Sequence, residues 1–117
     1  FQAQLGLALL NEKDKHYTEA YDGINSLIEQ YPDSAMAYAA RGGMEKERGM
    51  FELAEFDYAK AMELDAGNED FAFNHVDILI LLGRKDEAYR DLKKLLDAGC
   101  QPGRLQGFYA RLKKKKK

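Results

Sequence analysis

Residues 38–62 read YAARGGMEKERGMFELAEFDYAKAM, two stretches with apolar or small residues every three or four positions, joined at Arg48-Gly49-Met50. In the second stretch Ala54, Tyr58 and Ala61 follow one another at spacings of four and three, the period of a single helix face. Strand-like alternation is absent from both. Working outward, a shift of 34 residues brings Ala20, Ala54 and Ala88 into one column, with Ile24, Tyr58 and Leu92 four residues later. Ile28, Met62 and Leu96 form a further apolar column, and Gly49 aligns with Gly83. Tyr17 and Phe51 align as aromatics, with Lys85 in the same place. A fixed period of this length means stacked supersecondary units, none of which buries its apolar face alone.

The same periodicity predicts helices at about 2–14, 18–31, 35–48, 52–65, 69–82 and 86–98. Asp14-Lys15-His16, Arg48-Gly49-Met50 and Gly83-Arg84-Lys85 are the expected turns within units, glycine supplying the left-handed backbone that ends a helix. Pro32-Asp33-Ser34 and Ala66-Gly67-Asn68 separate the units, with Ser34 and Asn68 suited to cap the next helix. After Gln101-Pro102-Gly103, the residues Leu105, Phe108, Tyr109 and Leu112 form one stripe of a seventh helix. It is expected to cover the apolar end of the last unit, with Pro102 in its first turn.

These residues resemble the tetratricopeptide repeat, a 34-residue helix–turn–helix family. The second unit matches best: Tyr38 stands at the leading aromatic, Gly42 at the first-helix glycine, and Ala54, Tyr58 and Ala61 at the second-helix positions. Leu7, Ala8, Ala20, Ile24 and Pro32 fit in the first unit, where Gln4 and Asn11 replace aromatics. Ala88 and Leu92 fit in the third, where Ala72, His75 and Val76 depart from the pattern and Cys100 replaces a common proline. The expected fold is an all-α, right-handed solenoid of three helix–turn–helix repeats, 1–34, 35–68 and 69–101, plus a capping helix at 102–112 and a lysine tail at 113–117.

The resemblance implies that the first helices line a concave groove. Its expected partner-binding residues are Leu5 and Leu9, then Met36, Ala39, Ala40 and Gly43, then Phe73, Asn74 and Asp77. Small Ala39, Ala40 and Gly43 flanked by larger Leu5, Leu9 and Phe73 suit an apolar side chain or helix of a protein partner. Relatives that hold the carboxylate-terminated tails of heat-shock chaperones use a clamp of Lys, Asn and Arg. Here the matching positions are Leu5, Leu9, Ala40, Asp70 and Asn74, with no base among them, so such a tail is not expected. A non-catalytic interaction scaffold follows, with a structural assembly module that self-associates or docks to another domain as the alternative. The apolar run Ile78-Leu79-Ile80-Leu81-Leu82 covers more than one helix face and needs cover from the cap or from another copy.

Composition narrows the alternatives. At 117 residues, 45% hydrophobic and 32% charged, the chain has room for one globular unit. Of the 18 basic residues, five are Lys113–Lys117, which leaves 13 against 20 acids in residues 1–112. An acidic body repels phosphate backbones and anionic lipid, so neither nucleic acid nor membrane is the expected partner, and the lysines read as a solvated tail. His16 and His75 lack metal-ligand spacing, and no metal or cofactor is expected. Cys100 has no activating His–Asp arrangement and reads as an apolar filler. No phosphate loop or catalytic pair is present, so an enzyme is not expected. The remaining acids read as solvated helix faces. Compartment is left open: cytoplasmic by default, with an upstream signal segment or further repeats before Phe1 both compatible with the sequence.

Overall fold

The computed structural model describes residues 1–114, and among these there is no strand. Three helix pairs follow in order: α1 (Gln2–Lys13) with α2 (Tyr17–Gln30), α3 (Ala35–Glu47) with α4 (Phe51–Leu64), and α5 (Glu69–Leu81) with α6 (Lys85–Asp97). A 3-10 turn, Pro102–Leu105, leads into α7 (Gln106–Lys113). From α1 to α6 each helix packs on the next, α7 packs on α5, and the first helices α1 and α3 also touch. The extents of 39 × 33 × 20 Å describe a slab whose short dimension is two helix diameters. Lys115–Lys117 of the lysine tail lie outside the described residues.

Helix ends fall where the local chemistry puts them. Ser34 Oγ accepts the Ala37 N–H at 3.2 Å and Asn68 Oδ1 accepts the Phe71 N–H at 3.1 Å, so both expected caps form. Within each pair the turn has one geometry: the N–H groups of His16, Met50 and Arg84 donate to the carbonyls of Asn11, Glu45 and Leu79, closing the first helix from three residues beyond its end. That closure requires a left-handed residue just before the donor. Gly49 and Gly83 supply it at φ 76°, whereas Lys15 adopts φ 64° with a side chain attached.

Three apolar clusters run along the stack. Leu5, Ala8, Ala20, Ile24, Leu27, Ala37 and Met44 join the first two pairs. Ala39, Ala54, Tyr58, Ala61, Phe71 and Ile78 join the second and third. The last cluster gathers Val76, Leu79, Ala88, Leu92, Leu95 and Cys100 under Leu105 and Leu112 of the cap. Ala20, Ala54 and Ala88 are fully buried, and the closest approach is at Gly42, where a Cβ would lie 2.9 Å from the Tyr58 ring. The apolar run of α5 is divided between clusters: Ile78 faces α4 and Leu79 faces α6 and the cap, while Leu81 is exposed. Most of that run is therefore covered inside the chain.

Two measurements check this account. Lys15→Gly removes a strained side chain and is expected to raise stability by about 1 kcal/mol in denaturant unfolding. Ala54→Leu forces extra methylenes into a closed crossing and is expected to lower it by roughly 1–3 kcal/mol.

Candidate partner-binding face and its ionic supports

The residues expected to line the groove sit on α1, α3 and α5. Met36, Ala40 and Gly43 follow at spacings of four and three along one stripe of α3, and Leu9 holds on α1 the register position of Gly43. Leu9 and Met36 are 46% and 52% exposed, while Ala40 and Gly43 are half-buried, so this part of the face is open. Leu5 and Ala39 point into the core clusters. The α5 part is covered by the cap. Phe73 stacks on Phe108 of α7 at 5.9 Å, with the Arg104 guanidinium 4.6 Å above its ring. Asn74 donates its side-chain amide to the Asp70 carbonyl at 2.9 Å. Asp77 binds Arg111 of α7 at 2.6 Å and also Lys46 of α3. Burial alone raises the Asp77 pKa, but the hydrogen bonds from Lys46 and Arg111 outweigh it and hold the carboxyl below its ordinary value.

Behind the face, polar side chains tie each pair to the one before it. Arg41 of α3 grips Asp57 of α4 through two bonds of 2.8 Å and donates to Asn25 of α2 at 3.0 Å. Thirty-four residues later His75 of α5 does the same work, meeting Asp91 of α6 through Nδ1 and Glu55 of α4 through Nε2 at 2.8 Å. Burial pushes the His75 pKa down, yet the two carboxylates overcome that and raise it. Arg48 binds Glu12 of α1 at 2.5 Å and lies 4.7 Å over the Tyr17 ring. Glu45 of α3 is buried and accepts the Tyr21 hydroxyl of α2 at 2.8 Å, while its Oε1 has no hydrogen-bond partner among the described residues. Burial, then the neighbouring Asp57, push the Glu45 pKa up to about 8, well above the ordinary carboxyl range.

With this geometry in hand, similarity to solved structures is decisive for the fold. The Arabidopsis OM64 TPR domain superposes with a TM-score of 0.80 at 23% identity, covering 95% of this chain and 92% of that one. The TPR2B domain of yeast Sti1, in its pHsp70 complex, gives 0.74 at 18% identity, covering 94% and 96%. The chain has the tetratricopeptide-repeat fold. No family model matches it, and no curated protein matches it in sequence.

The tetratricopeptide-repeat register explains what residue-by-residue reading missed. The acids were expected on solvated faces, but Glu12, Glu45 and Asp57 are 6%, 1% and 1% exposed. The correction has a physical reason: junctions between repeats bring bases and hydroxyls of one helix against acids of another, which makes burial tolerable. His75, a departure from the family pattern, is a junction residue in the column of Arg41. The signal was present in the sequence. The same 34-residue shift that aligns the alanines aligns Arg41 with His75 and Asp57 with Asp91.

The two groups with raised pKa, Glu45 and His75, act on stability in one direction. Native Glu45 keeps a proton that the unfolded chain releases, so its contribution is lost as pH rises from the ordinary carboxyl range towards about 8. His75, also raised, contributes fully below its unfolded pKa and loses that contribution as pH rises through its folded value. Stability is expected to fall from about pH 5 to about pH 8. Glu45→Gln, which keeps the shape and removes the titration, is expected to flatten that fall and to be more stable than wild type above pH 8 by roughly 1–3 kcal/mol. Unfolding curves across this range check it; a wild-type stability that rises with pH contradicts it.

Proposed function

We propose that this chain is a non-catalytic protein–protein interaction scaffold that holds a peptide or helix of a partner against its first-helix face. The observation that carries the reading is the open stripe on α1 and α3. There Leu9 and Met36 stand exposed beside small, half-buried Ala40 and Gly43. Large apolar walls beside small residues accept an apolar side chain of the partner. The stripe is fixed by folding, so binding costs mainly the ordering of the ligand. The three pairs serve as repeats spanning 1–34, 35–68 and 69–101, and residues 102–112 close the third, where Phe73 and Asp77 hold the cap and Asn74 rims the face beside them.

The pHsp70 complex of the yeast Sti1 domain supports a peptide as the class of ligand for this fold. Its chemistry here is apolar rather than carboxylate-directed. Of the positions matching a chaperone-tail clamp, Leu5 is buried, Asp70 is an exposed acid and none is basic. A second reading, a structural assembly module, draws on α1. Leu7 and Leu10 are 60% and 53% exposed, although their register equivalents Arg41 and Met44 are covered at the α2–α3 junction.

Peptides selected from a display library against the folded protein test the groove. Leu9→Glu with Met36→Glu alters exposed positions only and is expected to weaken selected peptides at least about tenfold with melting unchanged. Equal affinity for wild type and double variant overturns the groove reading.

A further inference from the structure

The outward side of α4 carries a second apolar feature, away from the stripe on the first helices. Phe56 is 64% exposed and Leu53, three residues before it, is 51% exposed. The repeat register shows how unusual this is within the molecule. The positions equivalent to Phe56 are Asp22 in α2 and Arg90 in α6, both exposed and charged, and those equivalent to Leu53 are Glu19 and Glu87. Only the middle repeat places large apolar side chains there.

The charges around Phe56 specify an occupant. Along the helix ridge spaced by four residues the order is Glu52, Phe56, Lys60: acid, aromatic, base. Ridges spaced by four pack alongside one another when two helices cross in the commonest way. Run against its own reverse, this ridge sets Glu52 beside the partner's Lys60, Phe56 beside the partner's Phe56, and Lys60 beside the partner's Glu52. The ridge is self-complementary, which is the requirement of a two-fold contact. The corresponding ridges are not: Thr18-Asp22-Ser26 sets an acid against itself, and Asp86-Arg90-Lys94 sets a base against itself. Among the described residues Lys60 is held only by a 3.8 Å contact to exposed Glu63, which leaves it able to turn towards a partner. Ala59, the small residue next to Lys60, is half-buried and adds no bulk to the crossing.

We propose that α4 is a homodimer contact, in which two copies of the chain meet across a two-fold axis at Phe56. The contact lies on second helices, so it leaves the Leu9–Met36 stripe free, and a dimer presents two such stripes at once. One helix ridge is narrower than the roughly 800 Å² per partner of a standard interface, so the dimer is a weak one.

Sedimentation equilibrium of the full chain from about 10 μM to about 1 mM at low salt tests the proposal, because screening weakens exposed charge pairs. The expected result is a mass rising from one copy towards two. Phe56→Ala, at an exposed position that leaves the core intact, is expected to stay monomeric throughout. Glu52→Lys and Lys60→Glu alone each create like-charge neighbours and are expected to weaken the dimer at least about tenfold. Combined in one chain they restore opposite charges and are expected to restore the dimer. A wild type that remains monomeric overturns the proposal. So does association that survives Phe56→Ala, which assigns it to another surface such as Leu7 and Leu10 of α1, and so does a double variant that fails to recover. Peptide binding at the first-helix stripe is measured separately and is unaffected by these changes, so either reading can fail alone.

Discussion

Everything in this molecule depends on how closely the two helices of a pair can cross. Ala20, Ala54 and Ala88 are fully buried at those crossings, and Gly42 lets the Tyr58 ring come nearer than any side chain would allow. Close crossing fixes the shape of one pair. It also leaves each pair with an apolar side that only the next pair, or the cap, can cover. Core clusters consequently form between neighbours in the chain rather than around one centre, and α7 ends the series by placing Leu105 and Leu112 over the last of them.

Apolar cover sets which helices meet, while polar pairs set how they meet. A stack of similar helices has many sliding positions of similar apolar burial. Arg41 bound to both Asp57 and Asn25, and His75 bound to both Asp91 and Glu55, satisfy their hydrogen bonds in one of those positions only. The first-helix face is a product of this register. Met36, Ala40 and Gly43 lie along one stripe of α3, and the neighbouring α1 carries exposed Leu9. On the other side, the charged second helices α2 and α6 frame the apolar crest at Phe56.

Much of the architecture was legible before any coordinates. Helices at about 52–65 and 69–82 were expected and occur at Phe51–Leu64 and Glu69–Leu81, because side-chain period and turn residues are local properties. Ser34 and Asn68 were legible as caps for the same reason. Fewer features of the site were. Leu9 and Met36 are exposed as a groove requires, but Leu5 and Ala39 share the same helix stripe in sequence and are buried. Helical spacing gives the direction of a side chain, not whether another helix already occupies that direction. Phe73 and Asp77 make the same point, since Phe108, Arg104 and Arg111 reach them from more than thirty residues away.

By itself the sequence determined the helix count, the 34-residue register, the turn chemistry and the tetratricopeptide-repeat character of the chain. These are written in short-range periodicity, which a repeat repeats. Only the tertiary structure decided which acids are buried, that His75 bridges Asp91 and Glu55, which part of the first-helix face the cap leaves open, and that Phe56 faces solvent. Those outcomes depend on contacts between residues distant in the chain, where burial and charge are properties of two surfaces brought together rather than of either segment alone.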